Sequence, residues 1–207
     1  MSIIEKYFTS LSTRQKEQFD ALFDLYSDWN SKINVISRKD IDNLYLHHVL
    51  HSLAIARYIH FQPKTSIMDV GTGGGFPGVP LAIFFPEVNF LLLDSIGKKV
   101  NVARQISQAI GLQNVECAHS RMEDEKRKFD FVVSRAVMPL PDLVKIVQKN
   151  ISPEQKNALP NGIICLKGGD LTSELSSFKN KVESFSLSNY FSEPFFETKK
   201  LIYLPIQ

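Results

Sequence analysis

Apolar residues at Phe19, Leu22, Phe23, Tyr26, Trp29 and Ile33 recur at helical spacing, and Ile41, Tyr45, Val49, Leu53, Ala56 and Ile59 form a second such stripe. Ser12 followed by Gln15 offers a capping pair ahead of the first stripe, and the polar stretch 37–40 separates the two. From Thr65 onward the pattern changes. Short apolar runs alternate with helical stretches, as in β-α-β units that build a parallel sheet. The runs predict strands over 66–70, 88–94, 115–118, 129–134 and 163–167, and helices over 78–84, 98–110, 140–148 and 171–180. The tail, 184–207, predicts two more strands in an antiparallel hairpin. The expected fold is a mostly parallel α/β sheet over residues 63–207, with a helical segment, 1–62, packed on it as part of one unit.

Composition narrows the class. At 207 residues, 43% apolar and 22% charged, the chain is long enough to bury a core without staples. A net charge of +2 supplies no global field that would pull it onto nucleic acid, so such binding needs a local patch. Cys117 and Cys165 lie far apart, which fits neither a disulfide framework nor a zinc motif. The apolar run 79–85 is broken by Pro80 and is too short for a bilayer. The amino-terminal stretch lacks a basic region followed by an apolar one, so no secretory leader and a cytoplasmic location are expected. Lys126, Arg127 and Lys128, flanked by Glu123, Asp124 and Glu125, read as a solvated turn.

Chemistry concentrates after the first predicted strand. Five of the ten glycines fall between Gly71 and Gly78. A strand, a glycine-rich turn and a helix start make a loop against which a ligand can approach the main chain. Gly73 through Gly78 satisfies G-x-G-x-x-G, the dinucleotide pattern, but no Gly-Lys-Ser/Thr follows, which excludes a P-loop. Asp69 precedes the turn. A carboxylate there would repel a pyrophosphate and attract the ammonium or sulfonium of S-adenosylmethionine. Asp94 closes the next strand, where an acid can accept both ribose hydroxyls of a nucleoside. Asp94 alone does not choose between NAD and S-adenosylmethionine; it can also cap the following helix.

With Asp69 to Leu81, Leu92 to Lys99, Ser120-Arg121-Met122-Glu123 and Val133-Ser134-Arg135-Ala136 in view, the chain resembles the ribosomal RNA small subunit methyltransferase G family, also called glucose-inhibited division protein B. Trp29-Asn30, Asn34, His48, Ser52 and Leu166-Lys167-Gly168 fit the same pattern in order, so the resemblance covers nearly the whole chain. It implies a Rossmann-like S-adenosylmethionine-dependent methyltransferase sheet with an amino-terminal helical extension. It also implies transfer of a methyl group to N7 of a guanine in 16S rRNA. Gly71, Phe76, Met122, Glu123 and Arg135 would then bind the cofactor, while Asp69, Gly73, Gly75 and Asp94 fit the physical reading of the same pocket. Arg135 and His48 are the positioning candidates; no catalytic acid–base pair is assigned.

One departure stands out. Where the family has Arg-His-x-x-Asp-Ser, this chain has His47-His48-Val49-Leu50-His51-Ser52, so the family's arginine–aspartate pair is replaced by two histidines. His47 and His51 stand four apart without a third ligand or an H-E-x-x-H arrangement, and no metal is expected. The expected partner is 16S rRNA or the small ribosomal subunit, met by a monomer without a membrane. Arg38, Lys39, Lys98, Lys99, Arg104 and Lys167 are the candidate phosphate contacts. Three other readings remain open at this point: an NAD-dependent oxidoreductase on the same loop, a non-catalytic ribosome-assembly factor that keeps a cofactor pocket, and a methyltransferase acting on a small molecule.

Overall fold

The computed structural model describes residues 2–206. A short helix, α1 (Ser2–Tyr7), precedes the first apolar stripe. Ser12 and Gln15 then form the expected capping box, each side chain accepting from the other's backbone N–H. The stripe is carried by two helices, α2 (Thr13–Asp20) and α3 (Leu22–Lys32), rather than one. The Tyr45 hydroxyl donates to the Phe19 and Asp20 carbonyls at 2.9 and 3.0 Å, taking acceptors at the junction.

The second stripe departs further from a single helix. It runs through a 3₁₀ turn (Ile41–Asn43), a π-helical stretch (Leu44–Leu50) and α4 (His51–Tyr58). A π-helix is rare and tends to mark functional sites.

The α/β part alternates as the apolar runs require: β1 (Ser66–Val70), α5 (Gly78–Phe84), β2 (Asn89–Asp94), α6 (Gly97–Ala109), β3 (Val115–His119), β4 (Phe131–Arg135), α7 (Leu140–Val147) and β5 (Gly162–Gly168). After β5 come α8 (Thr172–Leu175), β6 (Glu183–Ser186) and β7 (Lys199–Pro205). The helix expected over 171–180 therefore lasts only four residues. Its serines favour local bonds over continuation: the Ser176 hydroxyl donates to the Ser173 carbonyl at 2.8 Å. The tail forms the expected antiparallel pair, β6 with β7, joined through 3₁₀ turns; Gln207 lies outside the described residues.

The sheet order is β3-β2-β1-β4-β5-β7-β6, parallel from β3 to β5 and antiparallel at β7 and β6. Both faces are covered. Ile67, Phe90, Leu92, Phe131 and Val133 pack with Phe19, Tyr26 and Leu53 of the amino-terminal helices. Their strand neighbours Met68, Leu91, Leu93 and Val132 pack on the other face with Leu140, Leu143 and Val147. This period of two explains why the strands read as continuous apolar runs. The order reverses between β1 and β4, which makes the carboxyl ends of β1, β2 and β4 the place where such a sheet opens a crevice.

Candidate functional site

Asp69 sits near the end of β1 on the face that meets α5. It is fully buried, and its Oδ2 accepts from the Thr72 hydroxyl at 2.6 Å and from the Gly78 N–H at 2.8 Å. A Cβ on Gly78 would stand 2.7 Å from that same oxygen. Asp69 thus folds the glycine loop back onto the start of α5. Burial pushes its carboxyl up to about 7, against the two hydrogen bonds and the charge of Arg135. Asp69 is not among the residues lining the open cleft, and the contacts of its Oδ2 pin the glycine loop. The α5 N-terminus, where a dinucleotide pyrophosphate would rest, is already capped by the protein's own carboxylate, which disfavours the NAD reading.

The glycines divide in the same way. Gly71 lies in the left-handed region at φ +65°, and a Cβ there would strike Val137 at 2.5 Å. Gly73, at φ +57°, has open space where its side chain would be. Gly75 packs inward instead: a Cβ would meet Val79 at 2.6 Å and the Tyr26 hydroxyl at 3.1 Å. Phe76 is likewise buried, stacked on Tyr26 with ring centres 4.8 Å apart. Gly75 and Phe76 support the loop from beneath and do not line the cleft.

The cleft itself holds about 540 Å³, lined among others by Gly71, Asp94, Ile96, Met122, Glu123 and Arg135. Five of the expected residues, from the tips of four parallel strands, therefore come together around one opening. Asp94 is buried at its floor. One carboxylate oxygen accepts from the Gly73 N–H and the other from the Ile96 N–H, both at 2.8 Å. The helix-cap reading of Asp94 fails: α6 begins at Gly97 with Ile96 in the cap position, two residues after Asp94, and no side chain caps it. Ile96 is 48% exposed at the rim, an apolar side chain left to water beside a fixed carboxylate. Val137 and Met138 complete the wall opposite and were missed in the sequence. The preceding Ala136 adopts φ +53°, strain of the kind that gathers at functional sites.

Arg135, at the end of β4, is one of three cations lining the cleft, with Lys99 and Arg121. Its guanidinium lies 5.0 Å above the Phe76 ring centre, donates to the His47 carbonyl at 3.3 Å, and donates to His48 Nδ1 at 3.0 Å. The other nitrogen of His48, Nε2, lies 2.7 Å from Asp40 Oδ2; His47 Nδ1 lies 2.5 Å from Asp40 Oδ1. Burial and then the Arg135 charge push His48 down to about 4, despite Asp40. Burial likewise pulls Arg135 down to about 10, against Asp69, so it stays charged at neutral pH. Asp40 is raised by burial but lowered more by its two histidines, and ends below the ordinary carboxylate range. The turn 37–40 reads in the sequence only as a polar break; an acid seven and eight residues ahead of a His-His pair is the signal that could have marked Asp40.

Two of the candidate phosphate contacts are spoken for. Lys167 is buried, donating to the Met138 carbonyl and pairing with Glu174 at 2.7 Å. Arg104 donates to the Cys117 carbonyl at 3.0 Å. Arg38, Lys39 and Lys98 are exposed, and Lys99 lines the cleft. His51 is buried against Phe195 and Phe196; no group of three metal-ligating side chains occurs among the described residues. Among the described residues, no helix is long and apolar enough to cross a membrane.

Residues 15–202 match the family model described as rRNA small subunit methyltransferase G. The chain is 67% identical over 206 residues to Ribosomal RNA small subunit methyltransferase G of Phocaeicola vulgatus, covering 100% of this chain and 99% of that protein. It is 65% identical to the protein of that name from Bacteroides thetaiotaomicron, covering 100% of both. Among solved structures, a SAM dependent methyltransferase from Aquifex aeolicus superposes with a TM-score of 0.59 at 14% identity, over 83% of this chain and 100% of that one. A precorrin-6y C5,15-methyltransferase from Geobacter metallireducens does so with a TM-score of 0.55 at 12% identity, over 84% and 92%. At such identities these two likenesses speak for the fold.

Proposed function

The chain belongs to the rRNA small subunit methyltransferase G family, and on that premise we propose that it methylates N7 of a guanine in the 16S rRNA of the small ribosomal subunit, using S-adenosylmethionine held in the cleft at the tips of β1, β2 and β4. The observation that carries this is Asp94. Two backbone N–H groups fix its carboxylate, yet each oxygen keeps a lone pair free for a ribose hydroxyl. The surroundings fit the rest of a nucleoside. Ile96 and Met122 offer apolar contacts for an adenine, Glu123 stands beside them, and the open space at Gly73 lets a ligand reach the main chain.

Bound there, S-adenosylmethionine supplies an electrophilic methyl group on sulfur. The chain's own work is placement. Guanine N7 has a free lone pair and no proton, so its methylation needs no general base. The site agrees: His48 has both ring nitrogens engaged and is held neutral. Holding donor and acceptor in attack geometry can be worth about 7–11 kcal/mol. The Arg135 guanidinium, fixed on Phe76, forms the charged wall of that arrangement. The target guanine must be unstacked to reach the cleft.

Calorimetry tests the cofactor half. Wild-type protein is expected to bind S-adenosylmethionine and not NAD. Asp94→Ala is expected to lose at least about tenfold in affinity, the worth of the hydrogen bonds removed, while its circular dichroism stays native. Undiminished binding by that variant would remove Asp94 from the site.

A further inference from the structure

We propose that Asp40 is a positioning residue for the cleft: it fixes the His48 tautomer whose bare Nδ1 holds Arg135 against Phe76. The inference rests on reading Arg135 as a cofactor-side residue. Arg135 is the cleft's only lining cation from β4, and a guanidinium has donors alone. Its 3.0 Å contact to His48 Nδ1 therefore requires an unprotonated nitrogen there. A neutral imidazole leaves Nδ1 bare only if Nε2 carries the proton. Asp40 Oδ2, 2.7 Å from Nε2, accepts that proton's hydrogen bond and selects this tautomer. With Asp40 gone, the Nε2–H loses its acceptor and the ring its second anchor, leaving Arg135 alone to oppose the other tautomer. The alternative tautomer would set Nδ1–H against the Arg135 donors and push the guanidinium off Phe76.

The charged and titratable groups around His48 agree. Arg135 faces it from β4, His47 and His51 come from its own helical stretch, and Asp40 comes from the preceding turn. Asp40 is the acceptor among them. The π-helical geometry of Leu44–Leu50 lets the adjacent His47 and His48 converge on its two oxygens. The turn carrying Asp40 is thus tied to the cleft through one ring, although Asp40 is not among the residues that line it.

The test is a mutant cycle read by S-adenosylmethionine calorimetry. Asp40→Ala is expected to weaken cofactor binding on the order of tenfold, while affinity for a 16S rRNA fragment is unchanged. Asp40→Asn keeps an acceptor oxygen and is expected to bind near wild type. Arg135→Ala should weaken binding by itself, and adding Asp40→Ala to it should cost little more, because the two act on one group. Nitrogen-15 spectra of labelled histidine should show His48 protonated at Nε2 in the wild type. If Asp40→Ala binds normally while Arg135→Ala does not, the proposal is overturned and the cofactor reading stands. Additive losses, or an Asn variant as weak as the Ala variant, overturn it too. If Arg135→Ala binds normally, Arg135 is not on the cofactor side and the proposal falls with that reading. Should Asp40→Ala fail to fold, an Nδ1-protonated His48 in the wild-type spectrum would decide against it.

Discussion

Arg135 brings a full positive charge into the wall of the cleft with no carboxylate in salt-bridge reach among the described residues; a ring face, a carbonyl and an imidazole nitrogen hold it instead. That arrangement works only while the nearby histidines stay neutral, which ties it to pH. Burial first, then the charge of Arg135, depresses His48 to about 4 and His51 to about 3. A depressed histidine refuses, in the folded state, a proton that the unfolded chain accepts below its ordinary value. Each therefore removes stability as pH falls from about 6.5 toward its folded value, and costs nothing above 6.5. Asp69 acts in the opposite sense. Raised to about 7, it takes up its proton in the folded state first, and so adds stability as pH falls through the same window. A difference between variants cancels Asp69. Chemical denaturation of wild type and His51→Leu should show the wild type losing about 2–3 kcal/mol more than the variant between pH 7 and pH 4.5. Parallel pH profiles would mean that His51 titrates in the folded protein as it does in the unfolded chain.

At the scale of elements, the cleft's far wall depends on an ion pair between a buried lysine and a half-buried glutamate. Lys167, at the end of β5, reaches the Met138 carbonyl and Glu174 of α8, and Glu174 also accepts from the Leu140 N–H that opens α7. Loop 136–139 is thereby clasped between three elements. Replacing Lys167 with Met leaves a half-buried carboxylate without its cation, which costs on the order of 1–3 kcal/mol. Lys167→Met should lower the unfolding free energy by about that amount and speed hydrogen exchange over 136–140. A phosphate-binding lysine would instead leave stability alone and weaken RNA affinity. The sequence shows Lys167 only as a charge near a strand end; that Glu174, seven residues on, folds back to it is a tertiary fact. The strands, the glycine loop and Asp94 were legible because burial on two faces and positive-φ turns write themselves into composition. The π-helix, the α2–α3 break and Asp40 were not. Each depends on a partner from another element, and apolar spacing records none of these.

For the molecule as a whole, the amino-terminal helices are part of the core rather than an attachment to it. Phe19, Tyr26 and Leu53 share one apolar cluster with Leu92, Val133 and Leu166 of the sheet. The Tyr26 hydroxyl donates to the Gly74 carbonyl at 2.9 Å, so this segment also shapes the glycine loop. A net charge of +2 gives no long-range pull toward RNA, and Arg38, Lys39 and Lys98 are exposed cations. The claim on which the account turns is that this one cleft delivers a methyl group to guanine N7. Purified protein, methyl-labelled S-adenosylmethionine and small subunits from cells lacking the enzyme test it most directly. Label is expected on a single guanine of 16S rRNA, mapped to N7 by mass analysis of digested fragments. Bound cofactor with no label transferred to the RNA would contradict it.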